Sequence, residues 1–176
     1  NAYAVDKKQN LPTKTALDID SLLSLQSKQY PHGAMHMNMI TNHDLNSWEG
    51  TEFERYGQAV ETFAVLSYTL PGIPMMYTGQ EVGYNHAFEF FKHDKVPNFA
   101  ENRYTAFYRK LNALKHKEKA LDADERGGEM KRFFTENPDV YVFSRKKGRS
   151  QIFVFVNLSG ESSEVKFKEE LPNIRG

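Results

Sequence analysis

The sequence predicts an α/β arrangement followed by a smaller antiparallel β unit, and three observations carry that reading. Up to about residue 120, helical periodicity alternates with short apolar runs; each run breaks abruptly into polar side chains; past Leu121 the periodicity turns from helical to alternating. Alternating helices and strands argue for parallel strands, since parallel neighbours need a crossover between them. The expected division is 1–121 for the α/β part and 122–176 for the β part, the latter incomplete at its C-terminal end.

Residues 1 to about 14 are polar and close on Leu11-Pro12, a boundary or an entry loop. Between Thr15 and Tyr30, Ala16, Ile19, Leu22 and Leu23 recur at helical spacing, and Asp18 and Asp20 sit in the first turns, where the helix dipole favours a carboxylate. Tyr30-Pro31-His32-Gly33 stops that helix. A short apolar strand over Met35–Thr41 then breaks into an amide, an imidazole and a carboxylate, Asn42-His43-Asp44. Thr51-Glu52-Phe53-Glu54 opens the next helix with a reciprocal cap between the Thr51 hydroxyl and the Glu54 carboxylate. That helix is expected from about Glu52 to Leu70, with Phe53, Tyr56, Val60, Phe63, Ala64 and Ser67 down one face, until Pro71 and Pro74 end it. Met75-Met76-Tyr77 is a second short strand, and Thr78-Gly79-Gln80-Glu81 its polar terminus.

The irregular stretch from Val82 to about Glu101 carries His86, Phe88, Phe90, Phe91, His93 and Asp94. A loop this long inside a compact domain is more often functional than idle. A third helix, Asn102 to about Lys117, presents Tyr104, Phe107, Tyr108, Leu111 and Leu114 to a core. Beyond the Leu121–Gly128 linker, strands are expected over Met130–Thr135, Val140–Lys146 and Ile152–Asn157, with a fourth around Val165 and Phe167. Ile152–Asn157 is almost wholly apolar, the mark of a strand covered on both faces, and Arg145-Lys146-Lys147-Gly148-Arg149 reads as a solvated hairpin tip.

Composition narrows the function classes. The 176 residues carry no formal net charge, so nothing suggests an electrostatic grip on nucleic acid or an anionic membrane, and neither partner is expected. There are no cysteines, which excludes disulfides and thiolate metal sites without fixing a compartment. Asn1–Lys8 shows neither the apolar segment of a signal peptide nor an initiator Met, so the chain reads as cut from something longer and localisation stays open. The ends of strands in strand–helix sheets are where ligands and catalytic groups collect, which makes His43 and Asp44 candidates to face a substrate.

Taken together, Thr41-Asn42-His43-Asp44 after an apolar strand resembles the fourth signature region of the α-amylase family, glycoside hydrolase family 13. Leu70-Pro71-Gly72-Ile73-Pro74-Met75-Met76-Tyr77-Thr78-Gly79-Gln80-Glu81-Val82-Gly83 resembles that family's eighth barrel strand and its approach. Phe90-Phe91-Lys92-His93-Asp94 and the helix after it are similar to the family's final loop and helix, and an all-β domain follows, as in the family. The likeness covers about residues 15–170. It implies the last helix–strand units of a (β/α)8 TIM barrel, from roughly the sixth helix onward, then most of an antiparallel sandwich-type C-terminal domain.

What the resemblance implies about activity is an α-amylase-like glycosidase hydrolysing α-1,4 bonds of starch-type glucans with retention, its partner an α-glucan or maltooligosaccharide. Retaining hydrolysis needs one carboxylate to attack the anomeric carbon and another to protonate the leaving oxygen. The family's regions that hold these two lie on earlier strands, and nothing in this chain matches them, so the chain alone is expected to be inactive. Asp44 resembles the third carboxylate, which binds hydroxyls of the sugar at the cleavage point and favours its distorted ring; His43 would hydrogen-bond the same sugar. Asn42 is expected to orient the neighbouring backbone, and Trp48 is a candidate to stack on a sugar ring or simply to pack. Gln80 and Glu81 are candidates to line the cleft, a structural hydrogen bond being an equal reading for Glu81. His86, His93 and Asp94 fit no ordered ligand spacing, so no metal or other cofactor is assigned to the chain, and calcium is left to the part of the family fold outside it.

Two other readings stand beside this one. A transglycosylase or isomerase of α-glucosides would share the same strand-end motifs. A non-catalytic, barrel-derived binding subunit would have no need of His43 and Asp44 together, and their presence speaks against it. A barrel cut open exposes strand edges and apolar faces, so self-association of the chain is also expected.

Overall fold

The computed structural model describes residues 15–123, 126–168 and 171; the expected entry loop over 1–14 lies outside them. Helix α1 spans Ala16–Gln29 and starts where the sequence places it, with Thr15 N–H donating to Asp18 Oδ2 at 2.6 Å and Thr15 Oγ1 accepting from Leu17 N–H at 3.3 Å. Strand β1 is Met37–Asn38 and β2 is Ile73–Pro74, and the two pair in parallel, as the helix–strand alternation predicts. Both are shorter than expected, and β2 precedes the Met75–Tyr77 run rather than containing it. Pro74 fits there because Ile73 N–H and Met75 N–H donate to His36 O and Asn38 O, both at 2.8 Å, while the residue between them turns its nitrogen away from β1. Gly72 makes the approach possible: at φ 125° it lies where a Cβ would stand 2.4 Å from the His36 carbonyl oxygen.

The single helix expected from Glu52 to Leu70 is two. Helix α2 runs Glu52–Tyr56 and α3 runs Val60–Thr69, joined by a tight turn over Gly57–Ala59. Gly57 adopts φ 56° and ψ −127°, a conformation that removes it from the helix and costs little without a Cβ. The Thr51–Glu54 capping box is present, with Glu54 N–H donating to Thr51 Oγ1 at 3.2 Å and Thr51 N–H to Glu54 Oε2 at 2.8 Å. Helix α4 spans Arg103–Lys117, and Asn102 caps it by accepting from Tyr104 N–H at 2.8 Å.

Strands β3 (Glu129–Phe133), β4 (Val140–Lys147) and β5 (Ser150–Asn157) form one antiparallel sheet in the order β3-β4-β5. Among the described residues the expected fourth strand reduces to a single antiparallel bridge from Phe167 to Thr135. Among the described residues past Leu121 there is one sheet, not the two of a sandwich, because helices supply the layer on one of its faces. The strand covered on both faces is the central β4, not Ile152–Asn157: Tyr141 and Phe143 pack with α1, α3 and β5 on one side, and Val140 and Val142 with Phe133, Phe153 and Phe167 on the other. Strand β5 is an edge and leaves Phe155 half exposed.

The hairpin tip also differs. Lys146–Arg149 are exposed, but Arg145 is 2% exposed and donates to the carbonyls of Gly128 at 2.8 Å, Thr69 at 3.2 Å and Asp122 at 3.4 Å. A second polar tie joins helix to sheet: Asp20 accepts from Tyr141 Oη at 2.7 Å and from Arg132 Nε at 3.1 Å. A further core of Ile40, Val60, Ala64, Tyr68, Tyr108 and Leu111 joins the end of β1 to α3 and α4.

Candidate functional site

The chain leaves β1 through Ile40 and the buried Thr41, then winds into a wide π-type turn over Leu45–Glu49. Arg55, buried beneath it, donates from Nη1 to the Ile40 carbonyl at 3.1 Å and so fixes the peptide that precedes the polar cluster. Asn42 turns its carboxamide inward: Oδ1 accepts Leu45 N–H at 2.7 Å, and Nδ2 lies 3.4 Å from Met39 Sδ. His43 and Asp44 follow at the rim, both exposed, with Nε2 of the imidazole 3.5 Å from Oδ2 of the carboxylate.

The end of β2 reaches the same place. Tyr77 and Thr78 join His43 and Ser47 in a cleft of ≈ 620 Å³, whose far wall is Phe88, Phe90, Asp94 and Phe99 of the long loop. Burial pushes the Tyr77 phenol above its ordinary range. Asn46, wholly enclosed, pins that wall: Nδ2 donates to His86 O at 3.0 Å and Oδ1 accepts Phe88 N–H at 2.8 Å. Thr51, the cap of α2, adds a hydrogen bond from Oγ1 to Asn85 Oδ1 at 2.5 Å. Asp94 closes the loop on itself, 2.8 Å from His86 Nε2 and 3.1 Å from Glu89 N. An ionised carboxylate can only accept, which places the imidazole proton on Nε2. The hydrogen bond from His86, followed by that from the Glu89 amide, holds the Asp94 carboxyl below its usual range.

The sequence candidates thus divide. His43 lines the cleft, Asp44 stands beside it, and Trp48 lies at the rim with its ring centroid 5.7 Å from that of Phe90. Glu81 faces elsewhere, its Oε2 accepting Gly79 N–H at 2.9 Å and its carbonyl accepting from Thr105 Oγ1 at 2.9 Å. Gln80 is buried and serves the fold, accepting Tyr77 N–H at 2.6 Å and donating to Tyr108 Oη at 3.0 Å. His86 pairs with Asp94, and no group of three or more His, Asp or Glu side chains suited to an ion is gathered among the described residues. Asn46 and Phe88 are the members that sequence reasoning passed over. The alternation His86, Phe88, Phe90 was the available signal for an extended wall; Asn46 offered none, since its partners lie some forty residues away.

No protein-family model matches the chain. A cyclomaltodextrin glucanotransferase from Bacillus licheniformis is 24% identical over 163 residues, 92% of this chain but 22% of that protein. A maltogenic alpha-amylase from Thermotoga neapolitana superposes with a TM-score of 0.70 at 21% identity, over 82% of this chain and 33% of the other. A variant of AmyP solved in complex with maltotriose superposes with a TM-score of 0.57 at 18% identity, over 91% of this chain and 38% of the other. The likeness to α-amylase-family proteins carried by the sequence motifs is therefore present in overall sequence and in fold. The chain spans about a fifth of the length of that curated relative, at 22%.

Proposed function

We propose that residues 1–121 form the last helix–strand units of a (β/α)8 catalytic barrel, and residues 122–176 the β domain behind it, in an α-amylase-like glycosidase acting on α-1,4 bonds of starch-type glucans with retention. One observation carries the reading. Two parallel strands, β1 and β2, run on into one cleft, so that His43 from one and Tyr77 and Thr78 from the other share its lining. Convergence at the C-terminal ends of parallel strands is where barrels of this kind keep their chemistry.

In this reading Asp44 accepts hydrogen bonds from hydroxyls of the sugar at the cleavage point and stabilises its distorted ring. His43 donates to the same sugar, and both contacts strengthen as positive charge builds on the anomeric carbon. Their exposure at the cleft rim leaves both side chains accessible for that role. Neither is the nucleophile or the proton donor, so the chain alone binds and orients without cutting. Asp44→Asn, in the protein that carries this chain with its upstream barrel strands, is expected to lower glucan turnover on the order of a hundredfold or more with the fold intact. Turnover near that of the unsubstituted protein would remove Asp44 from the mechanism.

A second reading keeps the site and changes the acceptor. The likeness to a cyclomaltodextrin glucanotransferase supports it, a sugar hydroxyl then taking the place of water. Product analysis on maltooligosaccharides separates the two: longer or cyclic products mark transfer, shorter ones alone mark hydrolysis.

A further inference from the structure

We propose that Trp48, Phe90 and Phe91 form an aromatic shelf that carries the cleft outward from His43 and takes the apolar face of a glucosyl unit beyond the one at the cleavage point. The inference rests on the glucan reading of the site and adds to it a determinant of chain length. The rings are continuous: His43 to Phe90 is 5.7 Å between centroids, Phe90 to Phe91 is 5.0 Å, and Trp48 lies 5.7 Å from Phe90 and 6.3 Å from Phe91. They are also open, with Phe90 41%, Trp48 62% and Phe91 86% exposed.

Their placement argues against ordinary packing. Lys92 N–H donates to Glu89 O at 3.0 Å, which puts Phe90 and Phe91 at the two central positions of a tight turn. Those positions ordinarily hold Pro, Asp, Asn or Gly, and two phenylalanines there expose apolar surface with no gain to the turn itself. The turn is held in place: Asp94 binds His86 and the Glu89 amide, Lys92 pairs with Glu89, and Asn46 fixes the backbone at His86 and Phe88. Rings presented on a fixed turn need little ordering when a ligand arrives. The C–H face of a pyranose suits such a surface, because it covers apolar area while its hydroxyls stay in water. Continuity with the cleft through Phe90, which lines it, sets the occupant as the next sugar of the same chain.

The test uses the full protein with maltoheptaose and α-glucosyl fluoride, whose single sugar stops at the cleavage point. Trp48→Ser combined with Phe91→Ser is expected to raise KM for maltoheptaose about tenfold, leaving kcat and the glucosyl fluoride constants unchanged; Phe91→Tyr alone, which keeps a ring, leaves KM near that of the unsubstituted protein. Equal losses for both sugars, or none, would overturn the shelf. Asp44→Asn separates the two proposals, since it removes kcat on both sugars if the site reading holds. Direct calorimetric binding reads the shelf without turnover: a maltoheptaose Kd about tenfold weaker in the double variant supports it, and an unaltered Kd or no binding of maltoheptaose at all rejects it.

Discussion

Asn46 commits its whole carboxamide to the loop that walls the cleft, donating to one backbone carbonyl and accepting from one backbone N–H. Replacing it with Ala strands two backbone groups in a buried place, a loss of about 1–3 kcal/mol. The expected readout is a lower unfolding midpoint together with faster amide exchange at Phe88. Lys115 offers a different single-residue test. Burial, helped by the nearby Arg145 charge, lowers its ammonium from 10.5 to about 8, and Nζ donates to Gly72 O at 2.9 Å. A lysine depressed in the fold binds its proton more weakly there than in the unfolded chain. Between pH about 8 and about 10.5, therefore, the unfolded state holds more protons and stability rises with pH; below that window the penalty is present in full. Urea unfolding from about pH 7.5 to about pH 10 should show that rise relative to Lys115→Met, in which it is absent. At this scale the sequence was legible in the abrupt end of an apolar run, where His43 and Asp44 stand exposed. It was silent at Asn46, whose partners lie remote along the chain, and it offered Gln80 to the cleft where the side chain is buried against Tyr108.

Among the elements, the helices announced themselves through their ends. Thr15, Thr51 and Asn102 each cap a helix at the position their side chains suit. The break at Gly57 was missed because apolar spacing continues from α2 into α3 across it, so periodicity reads one helix where the backbone makes two. Strand extents failed for a related reason. β1 and β2 are two residues each, and an apolar run says what is buried without saying what is paired. Gly72 is the element-scale test of that pairing. Gly72→Ala would bring a Cβ against the His36 carbonyl at 2.4 Å, and the β1–β2 pair should loosen. A loss of about 1–3 kcal/mol is expected, with exchange at Ile73 and Met75 rising first. Unchanged protection at those amides would mean the close crossing does not hold the pair.

At the scale of the whole molecule, the helical part is half covered. α1 buries Ala16 and Ile19 against the sheet but leaves Leu17, Leu22 and Leu25 in water, and β1 and β2 expose Met37 and Ile73. Edges and apolar faces of that kind seek partners. The chain is expected to show an apparent mass that climbs with concentration in sedimentation, and Leu25→Lys to lessen the climb; a constant monomer mass would count against it. The order of helices and sheet was readable from the change of periodicity at Leu121, whereas the joint between them was not, because Arg145 looked like part of a charged tip.

That arginine has a consequence for anyone recombining such proteins. Its guanidinium reaches from β4 to carbonyls at the end of α3 and on either side of the intervening linker. A chimera that exchanged everything after residue 121 for another β unit would leave the Thr69 carbonyl without its donor unless the incoming strand carried a basic side chain in the same register. The seam between the two parts is thus a lock with its own key, and grafts across it should be chosen by that one position before any match in overall length.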